Sequence, residues 1–153
     1  MHPIDQTLAD LGITLPDAPA PAANYVPFVV AGGMVHVSGQ ISQMDGALIK
    51  GRLGADFDVA EGAMAARTCA VSLMAQVRKA CGGDWSRLKR VVKLTGFVNS
   101  TPDFTDQPKV INGASDLMVA VFGDVGRHAR SAVSAASLPF GVAVEIEGLF
   151  ELT

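Results

Sequence analysis

Two long stretches of the chain repeat their apolar residues at helical spacing. Ala63, Ala66, Ala70, Leu73, Val77 and Ala80 fall on one stripe and predict a helix over residues 59–80. Asp58 stands where an N-cap belongs, and Gly82-Gly83 ends the segment. Val110, Ala114, Leu117, Met118 and Val121 predict a second helix over 108–122, closed by Gly123-Asp124. A shorter repeat of Ile4, Leu8 and Leu11, ending near Gly12, predicts a short helix between His2 and Leu15. The run Pro16 to Pro21, PDAPAP, is a stiff, extended connector. It can lay the N-terminal helix across the domain or onto a neighbour.

The other stretches read as strands. Tyr25–Val30, a tight turn at Gly32-Gly33 and a return over Met34–Ser38 form a hairpin pattern. Gly39-Gln40 interrupts it, and a glycine there lets a ligand or another backbone approach closely. Asp45-Gly46 signals a second hairpin, leading into Ala47-Leu48-Ile49; Gly51–Phe57 is a loop. Leu88–Asn99 returns to strand character. Its alternation predicts Val92, Leu94 and Val98 on one face and Val91, Lys93, Thr95 and Phe97 on the other. After a turn at Ser100–Asp103 and the second long helix, the chain finishes with two strands around Ala129–Val133 and Val142–Glu147. Strands, helix, strand, helix, strands is the order of an α+β fold with a mixed sheet and helices on one face. It reads as one domain over residues 1–153, with residues 1–23 as an N-terminal extension.

The uncovered sheet face must meet something, and another subunit is the simplest candidate. Composition agrees: 49% of residues are hydrophobic and mean hydropathy is +0.32, so subunit interfaces would take up apolar surface. The net charge of −3 and the 6% aromatic content argue against a nucleic-acid partner, which calls for a basic patch. No apolar run approaches the roughly 20 residues of a membrane span, and no signal peptide is expected. Two cysteines and three histidines at scattered positions argue against a metal site. Cys69 and Cys81 read as buried reduced thiols of a cytoplasmic protein.

The candidate chemistry lies near the C-terminus. In an extended strand His128 and Arg130 point the same way, while Glu145 and Glu147 share a face opposite Val142, Val144 and Ile146. A basic strand followed closely by an acidic one can place a guanidinium near carboxylates. Arg presents a planar fork matched to a carboxylate ligand, and a nearby carboxylate can orient water or move a proton. The same residues are also compatible with a structural ion pair or two solvated faces.

Four segments carry a resemblance: Val35-His36-Val37-Ser38-Gly39-Gln40-Ile41, Arg90–Val98, Ala129-Arg130-Ser131-Ala132-Val133, and Leu138-Pro139 through Val144-Glu145-Ile146-Glu147. In this order and spacing they resemble the RidA/YjgF family, from about Tyr25 to the C-terminus. The N-terminal helix and its connector look like those of a longer-chain subgroup. The resemblance implies a chorismate-mutase-like fold and homotrimers with active sites in the clefts between subunits. It also implies cofactor-free hydrolysis of reactive enamines and imines, such as 2-aminoacrylate, to 2-oxo acids and ammonia. Residue by residue, Arg130 matches the arginine that grips the substrate carboxylate and Glu145 the glutamate that positions or activates water. Tyr25 and Asn112 match residues near the cleft, and Ser38-Gly39 the loop whose backbone lines it. Many members carry Cys directly after the Arg-Ser pair. Here that position is Ala132, so thiol chemistry is excluded there: a reaction that needs the sulfur would leave this protein inactive, whereas one that uses only the backbone carbonyl is served by Ala132 as well. Phe140-Gly141 is a second point at which the cleft rim is open to reshaping.

Two other functions compete with hydrolysis. A non-catalytic protein could bind 2-oxo acids through the same Arg130, a reading that Ala132 keeps open. Endoribonuclease activity, a label long attached to the family, sits poorly with the acidic chain.

Overall fold

The computed structural model describes residues 1–21 and 23–153. Helix α1 spans Pro3–Asp10, shorter than the expected His2–Leu15. Leu8 and Leu15 are buried, and the Trp85 indole N–H donates to Asp5 at 3.0 Å. The connector is held as well: buried Gln76 donates to the Pro19 carbonyl at 2.7 Å. The extension therefore lies across its own domain.

Strands β1 (Phe28–Ala31) and β2 (Met34–Ile41) form the expected hairpin. Its first strand starts three residues later than the sequence pattern suggests, because Pro27 has no N–H to give to a ladder. Tyr25 consequently stands outside the sheet. A small hairpin of β3 (Gln43–Met44) and β4 (Ala47–Leu48) turns at Asp45-Gly46, both at positive φ, as a primed turn requires.

Helix α2 runs Val59–Ala80, the span expected. Asp58 accepts from the Glu61 N–H at 2.8 Å, and Glu61 accepts from the Asp58 N–H at 3.1 Å. This capping box satisfies two of the helix's free donors. Helix α3 spans Gln107–Phe122. The two helices approach backbone to backbone: a Cβ on Gly113 would collide with the Ala63 carbonyl, and one on Gly62 would press on Leu53 and Val110.

Strands β5 (Leu88–Asn99), β6 (Ala129–Ala135) and β7 (Val144–Leu152) complete a five-stranded sheet in the order β1-β2-β7-β5-β6. Only β5 and β6 pair in parallel, so the sheet is mixed. Val35, Val37, Leu94, Val98, Val144, Ile146 and Phe150 pack with the helices in one core. The opposite face carries His36, Lys93, Thr95 and Glu147 beside Val29 and Val133, both about half exposed. Val91 departs from the expected alternation. It is fully buried with Leu94, because the register with β7 shifts between Val91 and Lys93. That bulge puts Val92 out of phase and turns Val91 to the core.

The α2–α3 contact predicts a stability effect. Gly113→Ala should destabilise the fold by about 1–3 kcal/mol, the range for overpacking, in chemical denaturation at unchanged m-value. An unchanged midpoint would show that the helices have room to part.

Candidate active site

The two residues expected to work together lie far apart within one chain. β5 separates β6 from β7, so the basic strand and the acidic strand are not neighbours. Arg130 is in register with Leu94, and Glu145 with Phe97. Two strand spacings and a three-residue offset put their Cα atoms roughly 14 Å apart. They also face opposite ways. Arg130 shares the helix-side face with Leu94, whereas Glu145 alternates with the buried Val144 and Ile146 and points to the open face. The expectation that sequence proximity would join them is corrected by the strand order.

Around Arg130 the edge strand β6 meets α3. Arg130 Nη1 donates to Asn112 Oδ1 at 2.8 Å and to Ser115 Oγ at 3.2 Å. Ser115 lies 2.9 Å from His128 Nε2, and His128 Nδ1 lies 2.6 Å from the Gly126 carbonyl. A carbonyl only accepts, so Nδ1 carries a proton, and in the neutral ring Nε2 accepts from the Ser115 hydroxyl. Among the described residues Arg130 has no ion-pair partner. Its guanidinium is oriented by neutral oxygens that leave its charge uncompensated. Ala132 lies two residues on, paired with Gly96 and packed against the core. Ser115 escaped the sequence reading; its only signal was helical spacing from Asn112.

Glu145 sits on the central strand β7, in a cleft of about 880 Å³ lined by Tyr25, Ser38, Gly39, Pro139 and Phe140 among others. β2 makes the floor. Its register with β7 shifts between Val37 and Gln40, so Ser38 and Gly39 bulge out of the ladder. There the expected interruption is a bulge, and β2 continues through it to Ile41. The Ser38 N–H donates to the Pro27 carbonyl at 2.9 Å, and Ser38 Oγ donates to the Val26 carbonyl at 2.8 Å. These bonds fix the segment that carries Tyr25. The Glu145 carboxylate rests on the Gly39 backbone, where a Cβ would clash with Oε2 and stand 2.9 Å from Cδ. Burial, and then the negative charge of Glu147, push the Glu145 pKa up. A carboxyl shifted in this direction holds its proton more readily than a free one, which suits a group that takes up and returns a proton. No Lys, Arg or His lines this cleft among the described residues.

The structure thus brings Tyr25, Ser38, Gly39 and Glu145 to one cleft and Arg130, Asn112 and Ala132 to the β6 edge. Cys69 and Cys81 are buried. Burial raises both thiol pKa values, which makes these thiols poor nucleophiles. Among the described residues, no three His, Cys, Asp or Glu side chains are grouped as a metal ion requires, and no helix is long and apolar enough to cross a membrane.

Comparison with known proteins places the fold. Residues 5–150 match the family model described as "YjgF/chorismate_mutase-like, putative endoribonuclease", and the chain belongs to this RidA/YjgF family. It is 56% identical over 147 residues to Protein TCP17 of Trypanosoma cruzi, covering 95% of this chain and 91% of that one. The crystal structure of Atu1372 from Agrobacterium tumefaciens superposes with a TM-score of 0.92 at 49% identity, over 98% of this chain and 92% of that one. A structure from Shewanella oneidensis, titled as a putative endoribonuclease, superposes with a TM-score of 0.94 at 34% identity, over 99% and 100% of the two chains.

The raised pKa of Glu145 predicts a pH-dependent stability. The folded state binds this proton more tightly than the unfolded chain, whose carboxyl titrates near 4.5. Stability therefore falls as pH rises through and above that value. Glu145→Gln should melt at a higher temperature than wild type at pH 8, and the advantage should vanish towards pH 4. An advantage that is constant with pH would assign it to packing instead.

Proposed function

We propose that this protein hydrolyses small enamine and imine carboxylates, such as 2-aminoacrylate, to 2-oxo acids and ammonia, in sites shared between subunits of a homotrimer. One observation carries the reading. Arg130 stands on the edge strand and Glu145 on the central strand, on opposite faces of the sheet, and each lies in an incomplete half-site. One half offers an oriented cation without a carboxylate, the other a carboxylate without a cation. Repeating one head-to-tail contact around a closed ring brings the first half of one subunit to the second half of the next.

The chemistry asks little of the protein. Arg130 fixes the substrate carboxylate in two parallel hydrogen bonds. Glu145 takes a proton from water as the water oxygen bonds to the carbon of the imine tautomer, and passes it to nitrogen, which receives the C=N π pair. The carbinolamine then collapses: Glu145 takes the hydroxyl proton as the carbonyl of the 2-oxo acid forms and delivers it to nitrogen as the C–N bond breaks and ammonia leaves. Tyr25, Ser38 and the Gly39 backbone frame the substrate on one side, and Asn112 and the Ala132 backbone on the other. Orientation and a proton route suffice, and no sulfur is needed where Ala132 stands.

Ala132 favours a second reading, a non-catalytic protein that binds 2-oxo acids through Arg130. Both readings bind a carboxylate, but only one releases ammonia. Ribonuclease activity draws no support from a cleft that no cation lines among the described residues, on a chain of net charge −3, since phosphate contacts need Lys or Arg.

The test is ammonia release from freshly generated 2-aminoacrylate. Wild type should accelerate it. Arg130→Ala should lower kcat/KM by at least about 30-fold, the cost of removing the charge that holds the substrate carboxylate. Glu145→Gln should lower kcat by about 10²–10⁴-fold, as loss of a general acid–base does. Absence of turnover, with 2-oxo acid binding that needs Arg130, would select the second reading.

A further inference from the structure

Phe140 is the residue whose position the fold does not explain. It lies in the short turn Pro139–Gly141 between β6 and β7, with φ at 59° and ψ at 10°. That left-handed region is costly for a bulky residue, and a glycine would occupy it without strain. The turn closes through backbone bonds from Gly141 N–H to the Leu138 carbonyl at 3.0 Å and from Val142 N–H to the Pro139 carbonyl at 3.2 Å. Neither bond needs the ring. Nor does the core hold it, since Phe140 is 60% exposed. Strain without a packing return is the signature of a residue kept for what it meets.

The surroundings indicate what that is. Phe140 and Pro139 line the cleft that also holds Glu145, together with Pro21, Tyr25, Pro27 and Ile41. Among the described residues Glu145 is its only acidic lining group, and no basic group lines it. The polar lining comes from Glu145, Ser38, Gln40 and Gln43. The rest of the wall is aromatic, aliphatic and proline-rich.

We propose that Phe140 is a specificity-determining wall, and that the preferred substrates are 2-imino acids with a bulky apolar side chain, branched aliphatic or aromatic. This rests on the hydrolase reading above and narrows it. An apolar side chain against the ring replaces water on both surfaces, and each extra methylene in such a pocket is worth about a tenfold preference or more.

The experiment compares imines generated in place from L-alanine, L-leucine and L-phenylalanine by an amino-acid oxidase, with wild type, Phe140→Gly and Phe140→Lys. Wild type should show a kcat/KM at least about tenfold higher for the leucine or phenylalanine imine than for the alanine imine. Both variants should reduce that ratio by about tenfold, and Phe140→Gly should melt no lower than wild type because glycine suits the turn. An absent preference, or an unchanged ratio in the variants, overturns the proposal while leaving the hydrolase intact. A change of assembly mass in Phe140→Gly also overturns it, by assigning the ring to a subunit contact. If wild type turns over none of the imines, the hydrolase reading itself fails. The wall is then judged by binding, where 4-methyl-2-oxopentanoate should bind about tenfold tighter than pyruvate in wild type and not in Phe140→Gly. Equal binding in wild type would overturn it.

Discussion

The parallel pairing of β6 with β5 is the contact on which the rest of the molecule depends. A parallel pair needs a long crossover, and α3 supplies it. The crossover carries β6 past β7 to the outside of the sheet, so that β5 separates the two strands that end the chain. Every feature of the proposed site follows from that placement. Arg130 reaches the sheet edge beside α3, where Asn112 and Ser115 orient its guanidinium. Glu145 is left on the central strand and on the other face. A single copy can hold a cation and a carboxylate ready but cannot join them.

Around Glu145 the governing constraint is close approach. The bulge in β2 takes Ser38 and Gly39 out of the ladder, and the missing side chain at Gly39 lets the carboxylate lie on the backbone. The same closeness removes water from the carboxylate and raises its pKa. One local irregularity thus both positions the group and tunes it. The N-terminal extension adds a wall. Its connector, tied to buried Gln76 on α2, contributes Pro19, Ala20, Pro21 and Ala23 to the cleft, so a segment that reads as a linker is part of the site's surroundings.

Much of this was legible in the sequence, for identifiable reasons. The spans of α2 and β5 follow from apolar periodicity with clear stops: the Asp58 cap, the Gly82-Gly83 break and the turn after Asn99. Local pattern is less informative where geometry depends on a neighbouring strand. The face of Val91 cannot be read from β5 alone, because a bulge is a mismatch between two strands and leaves no mark on one of them. The start of the first strand is obscured by the apolar run from Tyr25, which hides the missing donor of Pro27. The basic and acidic strands follow one another in sequence, yet adjacency in sequence does not fix adjacency in a sheet. Gly113 and Ser115 carry no sequence signal of their own, because a helix-packing glycine and a second contact to Arg130 have meaning only once α2, α3 and β6 are assembled.

The most direct test of the split site is subunit complementation. Arg130→Ala and Glu145→Gln chains, each inactive alone, would be co-refolded in equal amounts and assayed for imine hydrolysis. If each site takes Glu145 from one subunit and Arg130 from the next, random closed assembly leaves one half times one half of the sites intact, so about a quarter of wild-type activity should return. A mixture no more active than its two components would contradict the shared site and place the chemistry within one chain.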